Sequence, residues 1–411
     1  GYVEFVVKNQ TKKYDIKAPE GTVSVIDPTN VTAEEFEKIK EKVKIEYSQT
    51  NDDANLTSKR GQAVDNQATR ISTITKDANG NLVVTYTDGS TDKKPLSEFV
   101  TLDKQPAIDA VNTAATEKIA AINSTPNATD EEKAAAVAKV NADKEKALTA
   151  INDANVTTKT ALDAAQKAGT DAIAADNPVV AKKDAAKADV EAARKAKEDA
   201  IKANPNLSED EKTAAIAKVN KAAEDAKKAI DAATSNADVE TAKGTATTEL
   251  GKVNPIAKEN AKAAIANALT AKNAELDKRT DLTTEEKDAA KAEAKKLADA
   301  ELAKIDAQPD NADTPEAAAT AQKIVDDAED KGVADVTAVN PEAKSKPAAK
   351  KAIEDKLAKQ LEAIANTPDA TDDEKKVVAD AAKALADEAK EEIDKAGTDA
   401  EVKQLQKEAE G

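Results

Sequence analysis

The chain has 411 residues with 61 basic and 79 acidic side chains, a formal net charge of −18, and no His, Cys, Met or Trp. Without His and Cys, the sequence excludes a Ser–His triad, a cysteine nucleophile, a zinc finger and a disulfide. An acidic chain with only four arginines is a poor nucleic-acid binder, and no stretch reaches the ~20 apolar residues of a transmembrane helix. We therefore expect a non-enzyme with no cofactor, no metal site, no nucleic-acid partner and no membrane insertion.

Two kinds of sequence meet near residue 100. All seven aromatic residues lie at or before Phe99, whereas alanine rises from 6 residues in 1–106 to 84 in 107–411. The second part also carries most of the net charge, with 46 basic against 62 acidic groups. The absence of Cys favours an exported Gram-positive surface protein, and the lack of a signal or anchor motif suggests an internal fragment of a longer chain.

Residues 1–103 are predicted to form an α+β module. Two β-prone segments open it, Tyr2–Val7 and Thr22–Ile26. A turn at 27–30 precedes a capping box formed by Thr32 and Glu35. This box starts a helix whose apolar stripe continues at helical spacing through Phe36, Ile39, Val43 and Tyr47.

A β-hairpin is predicted next, with strands at Ile71–Thr75 and Leu82–Thr87. The alternation of side chains along the second strand places Leu82, Val84 and Tyr86 on one face. Leu96 and Phe99 are expected to close this module. Because all the aromatics lie here, a conventional core is expected here as well.

The rest of the chain repeats with a period near 80 residues. A Glu–Lys pair recurs at intervals of 79, 75 and 88 residues, and an Asn-Pro pair at intervals of 77 and 86. Each glutamate completes a capping box with a hydroxyl residue three positions earlier. The boxes are Thr129 with Glu132, Ser208 with Glu211, Thr283 with Glu286, and Thr371 with Glu374. Nineteen residues after each glutamate stands an isoleucine, at 151, 230, 305 and 393.

Each repeat is predicted to contain three helices that pack as one bundle. The first begins at the capping box, and the third begins at a proline, where proline suits the first turn. The second helices are predicted at Thr157–Ala175, Asp238–Val253 and Pro315–Val339, and the third start at Pro178, Pro255 and Pro341. Loops at 123–126 and 203–205 are expected to join one bundle to the next. The third repeat has a longer first loop, Asp310–Glu316.

The predicted fold is thus mainly α: an N-terminal α+β module followed by tandem three-helix bundles that form an elongated rod. The predicted domains are the module at 1–103, a connecting helix at 104–126, repeats at 127–205, 206–280 and 281–368, and a partial repeat at 369–411.

These repeats resemble the alanine-rich helical repeat of about 75–80 residues in Gram-positive cell-wall-anchored surface proteins of the Ebh type. The matching residues are Asn206–Lys212, Ala214–Asn220, Ala226–Asp231 and Ala237–Val239. The resemblance covers nearly all of 107–411. More loosely, Val31–Glu35 and Tyr86–Ser90 resemble the small modules that precede such arrays. The family implies export, cell-wall attachment and a role in adhesion; its ligands vary, so it assigns no binding residue.

Several motifs admit a second interpretation. Asp77–Asn81 is similar to a calcium loop, but its glycine is fourth rather than sixth, which favours a plain turn. Asn127–Thr129 and Asn206–Ser208 match glycosylation sequons, but their hydroxyls are explained as helix caps. Paired carboxylates such as 326–327 and 391–392 are expected on solvated helix faces rather than in an acid/base site.

Two further groups are ambiguous in the same way. The glycines of the second helices indicate either a functional surface or close helix approach in a thin core, and we favour the latter; they are Gly169, Gly244, Gly251 and Gly332. Tyr2, Phe5 and Tyr14 indicate either a ligand patch or a core, and we favour the core.

We therefore predict a non-catalytic fragment of a bacterial surface adhesin, extracellular and wall-attached in its parent protein, and monomeric. Its helical repeats act as a stalk and its module is the better candidate for ligand contact. The ligand is expected to be a host matrix or plasma protein, such as fibronectin, or a like molecule on a neighbouring cell. One alternative is a repeat array that itself binds such a protein or mediates cell–cell accumulation; another is a desiccation-protectant-like chain, which predicts disorder in dilute buffer. No ligand-binding residue is assigned.

Overall fold

The computed structural model describes residues 9–411, and the predicted strand Tyr2–Val7 lies outside them. The chain divides into two compact units: residues 1–183 with 234–236, and residues 184–233 with 237–411.

The first unit begins with the α+β module. Its helices and strands are, in chain order, α1 (Gln10–Lys13), β1 (Tyr14–Ile16), β2 (Val23–Val25), α2 (Ala33–Lys40), β3 (Ile45–Tyr47), β4 (Ile71–Lys76), β5 (Asn81–Tyr86), β6 (Thr91–Pro95) and β7 (Val100–Leu102). Short 3-10 turns lie at Thr57–Lys59, Gln67–Thr69 and Leu96–Glu98. Strands β4, β5 and β6 form an antiparallel sheet; β1 pairs with β3 antiparallel and β2 with β7 parallel.

The local signals of the module are confirmed. Thr32 and Glu35 form a reciprocal capping box at the start of α2, and β4 and β5 form the predicted hairpin. The third strand, β6, was not predicted. The predicted helical stripe is wrong beyond Lys40, because the chain turns there and residues 45–47 pair with β1 as a strand.

One hydrophobic core holds the module together. Tyr86 and Phe99 are fully buried in it, and the hairpin face predicted from Leu82, Val84 and Tyr86 is buried as a whole. Leu96 joins the same cluster. The aromatic residues therefore fill a conventional core, as the sequence predicts.

The rest of the described chain is a tandem of helices, joined by short turns and linkers. They are α3 (Gln105–Asn123), α4 (Asp130–Asn152), α5 (Lys159–Ala174), α6 (Lys182–Ala203), α7 (Glu209–Ala232), α8 (Asn236–Gly251), α9 (Glu259–Asp277), α10 (Thr284–Asp306), α11 (Pro315–Ala338), α12 (Ser345–Ala365), α13 (Asp372–Lys395) and α14 (Asp399–Glu410). All four predicted capping boxes are present, at the starts of α4, α7, α10 and α13.

The helices pack in threes, but in a different frame from the predicted one. One cluster joins α3, α4 and α5, and others join α6–α8, α9–α11 and α12–α14. The helix after each Asn-Pro pair is thus the first of its bundle, not the third. Consequently α3 belongs to the first bundle rather than connecting to it, and the loops at 123–126 and 203–205 lie inside bundles. The sequence repeat and the packing unit share a period but differ in phase.

The Asn-Pro prolines also lie outside the helices. Helices α6, α9 and α12 begin four residues after Pro178, Pro255 and Pro341, respectively. The prediction that these prolines occupy the first helical turn is therefore wrong. The intervening residues form a short linker, and the N–H groups at its end are bonded from outside the helix, as described below.

The bundle cores combine alanines with a few large residues. The four isoleucines that follow the capping boxes are fully buried, at 151, 230, 305 and 393. Buried alanines make up most of the remaining seam, as in α10, where Ala294 and Ala298 are fully buried. Such a core buries little apolar area per helix.

Candidate functional surfaces and the bundle joints

The calcium-like segment of the module is a hairpin turn. Oδ1 of Asp77 accepts the N–H groups of Asn79 and Asn81, each at 2.9 Å, and Gly80 has a φ of +80°. These bonds, led by the one from Asn81, lower the pKa of Asp77 to about 2. The carboxylate is therefore engaged by its own turn. Among the residues from 9 onward, no group of acidic side chains has the arrangement of a metal site.

The proposed aromatic patch is part of the core where the structure describes it. Tyr14 is 5% exposed and packs against Tyr47 and Tyr86, whereas Tyr2 and Phe5 lie outside the described residues. The Tyr86 hydroxyl donates to Asp92, whose other oxygen accepts from Thr11. Burial raises the pKa of Asp92, which is consistent with a structural polar network.

The paired carboxylates lie on exposed helix faces. Asp326 accepts from Gln322, and Asp327 pairs with Lys323 at 2.6 Å one helical turn away. Glu391 and Glu392 are both exposed. None of these four stands in a closed cleft that would support acid/base chemistry.

The sequon hydroxyls cap helices. Thr129 and Ser208 accept the N–H groups of Glu132 and Glu211. The second-helix glycines divide into two kinds: a Cβ on Gly169 would lie 2.4 Å from Cβ of Ala147, whereas one on Gly244 would meet nothing within 4 Å. Close helix approach therefore explains Gly169 and not Gly244.

A groove lies along α7 and α8. It encloses about 820 Å³ and is lined largely by alanine methyl groups, including Ala226 and Ala242. Its polar lining groups are lysines, carboxylates, threonines and an asparagine, without an aromatic anchor. This groove reflects the small side chains of the seam.

The most elaborate polar geometry lies where one bundle meets the next. At the start of α10, Oε1 of Glu286 accepts the Thr283 N–H at 3.0 Å and completes the capping box. Its Oε2 accepts the N–H groups of Lys344 (2.8 Å) and Ser345 (3.3 Å), at the beginning of α12. One carboxylate thus satisfies donors at the ends of two helices.

The same arrangement recurs along the chain. Glu211 accepts from Ser208 with one oxygen and from Lys258 and Glu259 with the other, at 2.8 and 3.3 Å. In the first unit, Glu132 accepts from Thr129 and, with its second oxygen, from Ala181 and Lys182 at 2.8 and 3.1 Å. We call Glu132, Glu211 and Glu286 the bridging glutamates.

Electrostatics keep Glu132 and Glu286 charged. Burial raises the pKa of Glu286, but the N–H bonds from Thr283, Lys344 and Ser345 outweigh burial and hold the pKa below its ordinary value. The balance at Glu132 is the same. Negative charge at a helix N-terminus is also favoured by the helix dipole.

Further contacts reinforce the joint between the third and fourth bundles. The Nζ of Lys346, a residue only 4% exposed, donates to the carbonyls of Thr280 and Asp394 at 2.9 and 2.8 Å. Glu285 accepts the N–H of Asp399 at the start of α14, and Thr284 donates its N–H to Gly397. This joint therefore bonds α10 to two helices of the following bundle.

The joint between the second and third bundles has additional contacts from the loop that follows α10. The long loop after α10 forms a two-residue bridge, Asn311–Ala312, with Asn254–Pro255. Lys258 donates to the carbonyl of Gln308 and pairs with Asp310. The lengthened loop thus contacts the linker before α9 while α9–α11 keep the common packing.

Sequence reasoning assigned the glutamates to their own helix caps and missed their second role. The signal was present in the Asn-Pro spacing. In all three linkers the N–H donors are the third and fourth residues after the proline: 181 and 182, 258 and 259, 344 and 345.

Within residues 9–411, no helix combines the length and the apolar character that crossing a bilayer requires.

Comparison with known proteins agrees with the packing frame. The DUF1542 family, described as a domain of unknown function, matches residues 103–181, 182–257 and 345–410. These segments begin where the observed bundles begin. The unmatched stretch 258–344 contains α9–α11 and the bridging Glu286, so it folds as the matched segments do.

The crystal structure of EbhA (756–1003 domain) from Staphylococcus aureus is similar at 16% identity, covering 74% of this chain and 99% of that one with a TM-score of 0.22. Curated proteins give no match. The Ebh-type resemblance predicted from the sequence is confirmed by the family match. Because the three matched segments cover more than half of the 411 residues, the chain belongs to the DUF1542 family.

Proposed function

We propose that the helical part of this chain is a non-catalytic spacer on the surface of a Gram-positive bacterium and that its N-terminal module contacts the ligand. In this proposal the parent protein is a wall-attached adhesin. The ligand is a host matrix or plasma protein, or a like molecule on a neighbouring cell. The observation that carries the proposal is a repeated bond from a capping glutamate to the start of a later helix, made by Glu132 within the first unit and by Glu211 and Glu286 between successive bundles of the second unit.

Three properties support a spacer. The bundles form joints from backbone donors and cap carboxylates, which leaves their helix faces covered by interleaved lysines and carboxylates. The second part of the chain has no aromatic residue, the side chain that most often anchors a binding hot spot. Its excess negative charge opposes collapse onto neighbouring acidic chains.

The spacer proposal is tested by small-angle X-ray scattering. A compact globular chain of 411 residues would have a radius of gyration of about 22 Å. Four bundles end to end, each of roughly 35 Å, would give a much larger value and a maximum dimension on the order of 140 Å. A radius close to the compact value would overturn the spacer role.

The ligand proposal is tested by binding measurements on the full chain and on residues 104–411, with immobilised fibronectin and plasma proteins as probes. We expect the full chain to bind and the helical part alone to fail, with its helical circular dichroism intact. Binding by residues 104–411 at micromolar affinity or better would instead assign ligand contact to the repeats.

A further inference from the structure

We propose that the bridging glutamates of the second unit, Glu211 and Glu286, mechanically couple successive bundles, so that the second carboxylate oxygen of each limits bending at the joint as well as capping a helix. This inference goes beyond the spacer role, because it concerns a device within the chain and does not depend on any ligand. The joint between α9–α11 and α12–α14 is the clearest example, since both bundles belong to one compact unit.

The bonding pattern argues for coupling rather than local capping. The N-cap residue of α12, Lys344, makes no side-chain capping bond. The N–H groups of Lys344 and Ser345 are therefore bonded by Glu286, which belongs to another bundle. The N-cap of α9, Lys258, is in the same position with Glu211. An N-terminal turn that lacks its own cap exchanges its bonds to the carboxylate for bonds to water when the joint opens.

The acceptor is fixed in direction. The Oε1 of Glu286 is held by the Thr283 N–H, and the Thr283 side chain is fully buried and bonded to the Glu286 N–H. The carboxylate therefore has little rotamer freedom, and Oε2 points at α12. Charge-assisted bonds of this kind are stronger than neutral ones.

Apolar contacts lie beside the bridging carboxylate. Leu276, Leu282 and Ala290 form a small cluster with Val339 and Ala343 of the linker that precedes α12. Bending at the joint would separate the carboxylate from its donors and expose this cluster together. The polar and apolar contacts therefore act on the same motion.

The experiment uses Glu286→Gln in the full chain. The amide has a single acceptor oxygen, so it cannot accept the Thr283 N–H on one side and the N–H groups of Lys344 and Ser345 on the other at the same time. The matched control is Glu374→Gln in the fourth capping box. There Oε2 of Glu374 accepts from Thr371, and the described residues give it no bond to another bundle.

The chain contains no cysteine, so two introduced cysteines are its only spin-label sites. We choose two exposed positions, Lys296→Cys in α10 and Lys383→Cys in α13. Pulsed electron–electron double resonance then measures the distribution of distances between the two spin labels. We expect the distribution to broaden clearly in Glu286→Gln and to stay unchanged in Glu374→Gln. In parallel, the amides of Lys344 and Ser345 should exchange with solvent about tenfold faster in Glu286→Gln.

Faster exchange with an unchanged distance distribution would overturn the proposal, because the glutamate would then be a local cap only. Equal broadening in both variants would also overturn it, since helix capping alone would set the stiffness. Because scattering and ligand binding are separate measurements, a failure here leaves the spacer proposal standing.

Discussion

The α+β module and the helical bundles solve the problem of burial in opposite ways. The module fills one core with Tyr86, Phe99 and large aliphatic residues drawn from strands far apart in sequence. The bundles fill theirs with alanines and a few large aliphatic residues, such as Ile265, Ile305 and Val325 in the third bundle, drawn from helices that are neighbours in sequence. The free energy gained on burial scales with the apolar area that is removed from water. A buried aromatic residue of the module therefore stabilises the fold more than a buried alanine of a bundle.

The difference extends to the polar groups. In the module, helix and strand ends are satisfied inside one core domain, as where Glu35 accepts from Thr32 and Ile26. In the bundles, acidic caps also accept from the following bundle, as Glu286 does from Lys344. A thin core thus coincides with polar bonds between successive bundles of the second unit.

The largest expected effect tests the module core. Phe99→Ala removes a fully buried ring and should destabilise the module by about 3–5 kcal/mol. Because no aromatic residue follows position 99, tyrosine near-ultraviolet circular dichroism reports the module alone. We expect its melting temperature to fall while the main transition at 222 nm persists.

The control for this prediction is Ile26→Ala, since Ile26 is 47% exposed and its loss should change stability by less than about 0.5 kcal/mol. A parallel loss of the whole 222 nm signal in Phe99→Ala would contradict the separation of the two kinds of core.

The next effect tests the thinness of the bundle cores. A methyl group at Gly169 would overlap Ala147, so Gly169→Ala should destabilise its bundle by about 1–3 kcal/mol. Gly244 faces open space, so Gly244→Ala should stabilise its helix by about 0.5–1 kcal/mol. Thermal melts at 222 nm of the two variants should therefore shift in opposite directions, and shifts of equal sign would refute close packing at Gly169.

Short-range features were predictable because their causes are local. The capping boxes, the hairpin and the buried Ile230 follow from residue types at fixed spacing. The apolar stripe through Tyr47 did not distinguish a helix from a strand, because the position of Tyr47 in β3 also fits helical spacing. The strand that pairs with β3 is β1, which lies about thirty residues earlier in the chain. Only the tertiary pairing distinguishes the two.

The phase of the bundles was not predictable for a similar reason. In a periodic chain, a helix such as α6 has equally suitable partners before and after it. The choice is made at the linker, since the N–H groups that follow an Asn-Pro pair are bonded by a bridging glutamate, as at Lys258. A carboxylate that bonds across a joint has the same sequence signature as a simple cap.

The smallest effect sharpens the comparison within the helical part itself. Eleven residues after the capping glutamate, the first bundle has Asp143 where the third has Leu297; before the Asn-Pro pair it has Asp176 where the third has Val339. In the third bundle these positions pack against the core. In the first, burial raises the pKa of Asp176 to about 6, with the neighbouring Asp143 adding to the rise and the cations of Lys139 and Lys118 opposing it.

A carboxyl group with a raised pKa destabilises the folded state while it is charged. The folded chain binds this proton near pH 6, whereas the unfolded chain binds it only near the ordinary value of 3.8. This group therefore makes the fold more stable as the pH falls from 7 toward 4. Glu132 and Glu286 act oppositely, because their lowered pKa means that their contribution is lost only below about 4.5. Between pH 7 and 5, Asp176 should dominate the pH dependence of stability. The melting temperature of the first bundle should therefore rise on acidification in the parent chain and stay constant in Asp176→Asn. Asp143→Asn should reduce that rise without abolishing it, since burial is the larger cause. An undiminished rise in Asp176→Asn would show that the first bundle tolerates its buried carboxyl as readily as the third tolerates valine.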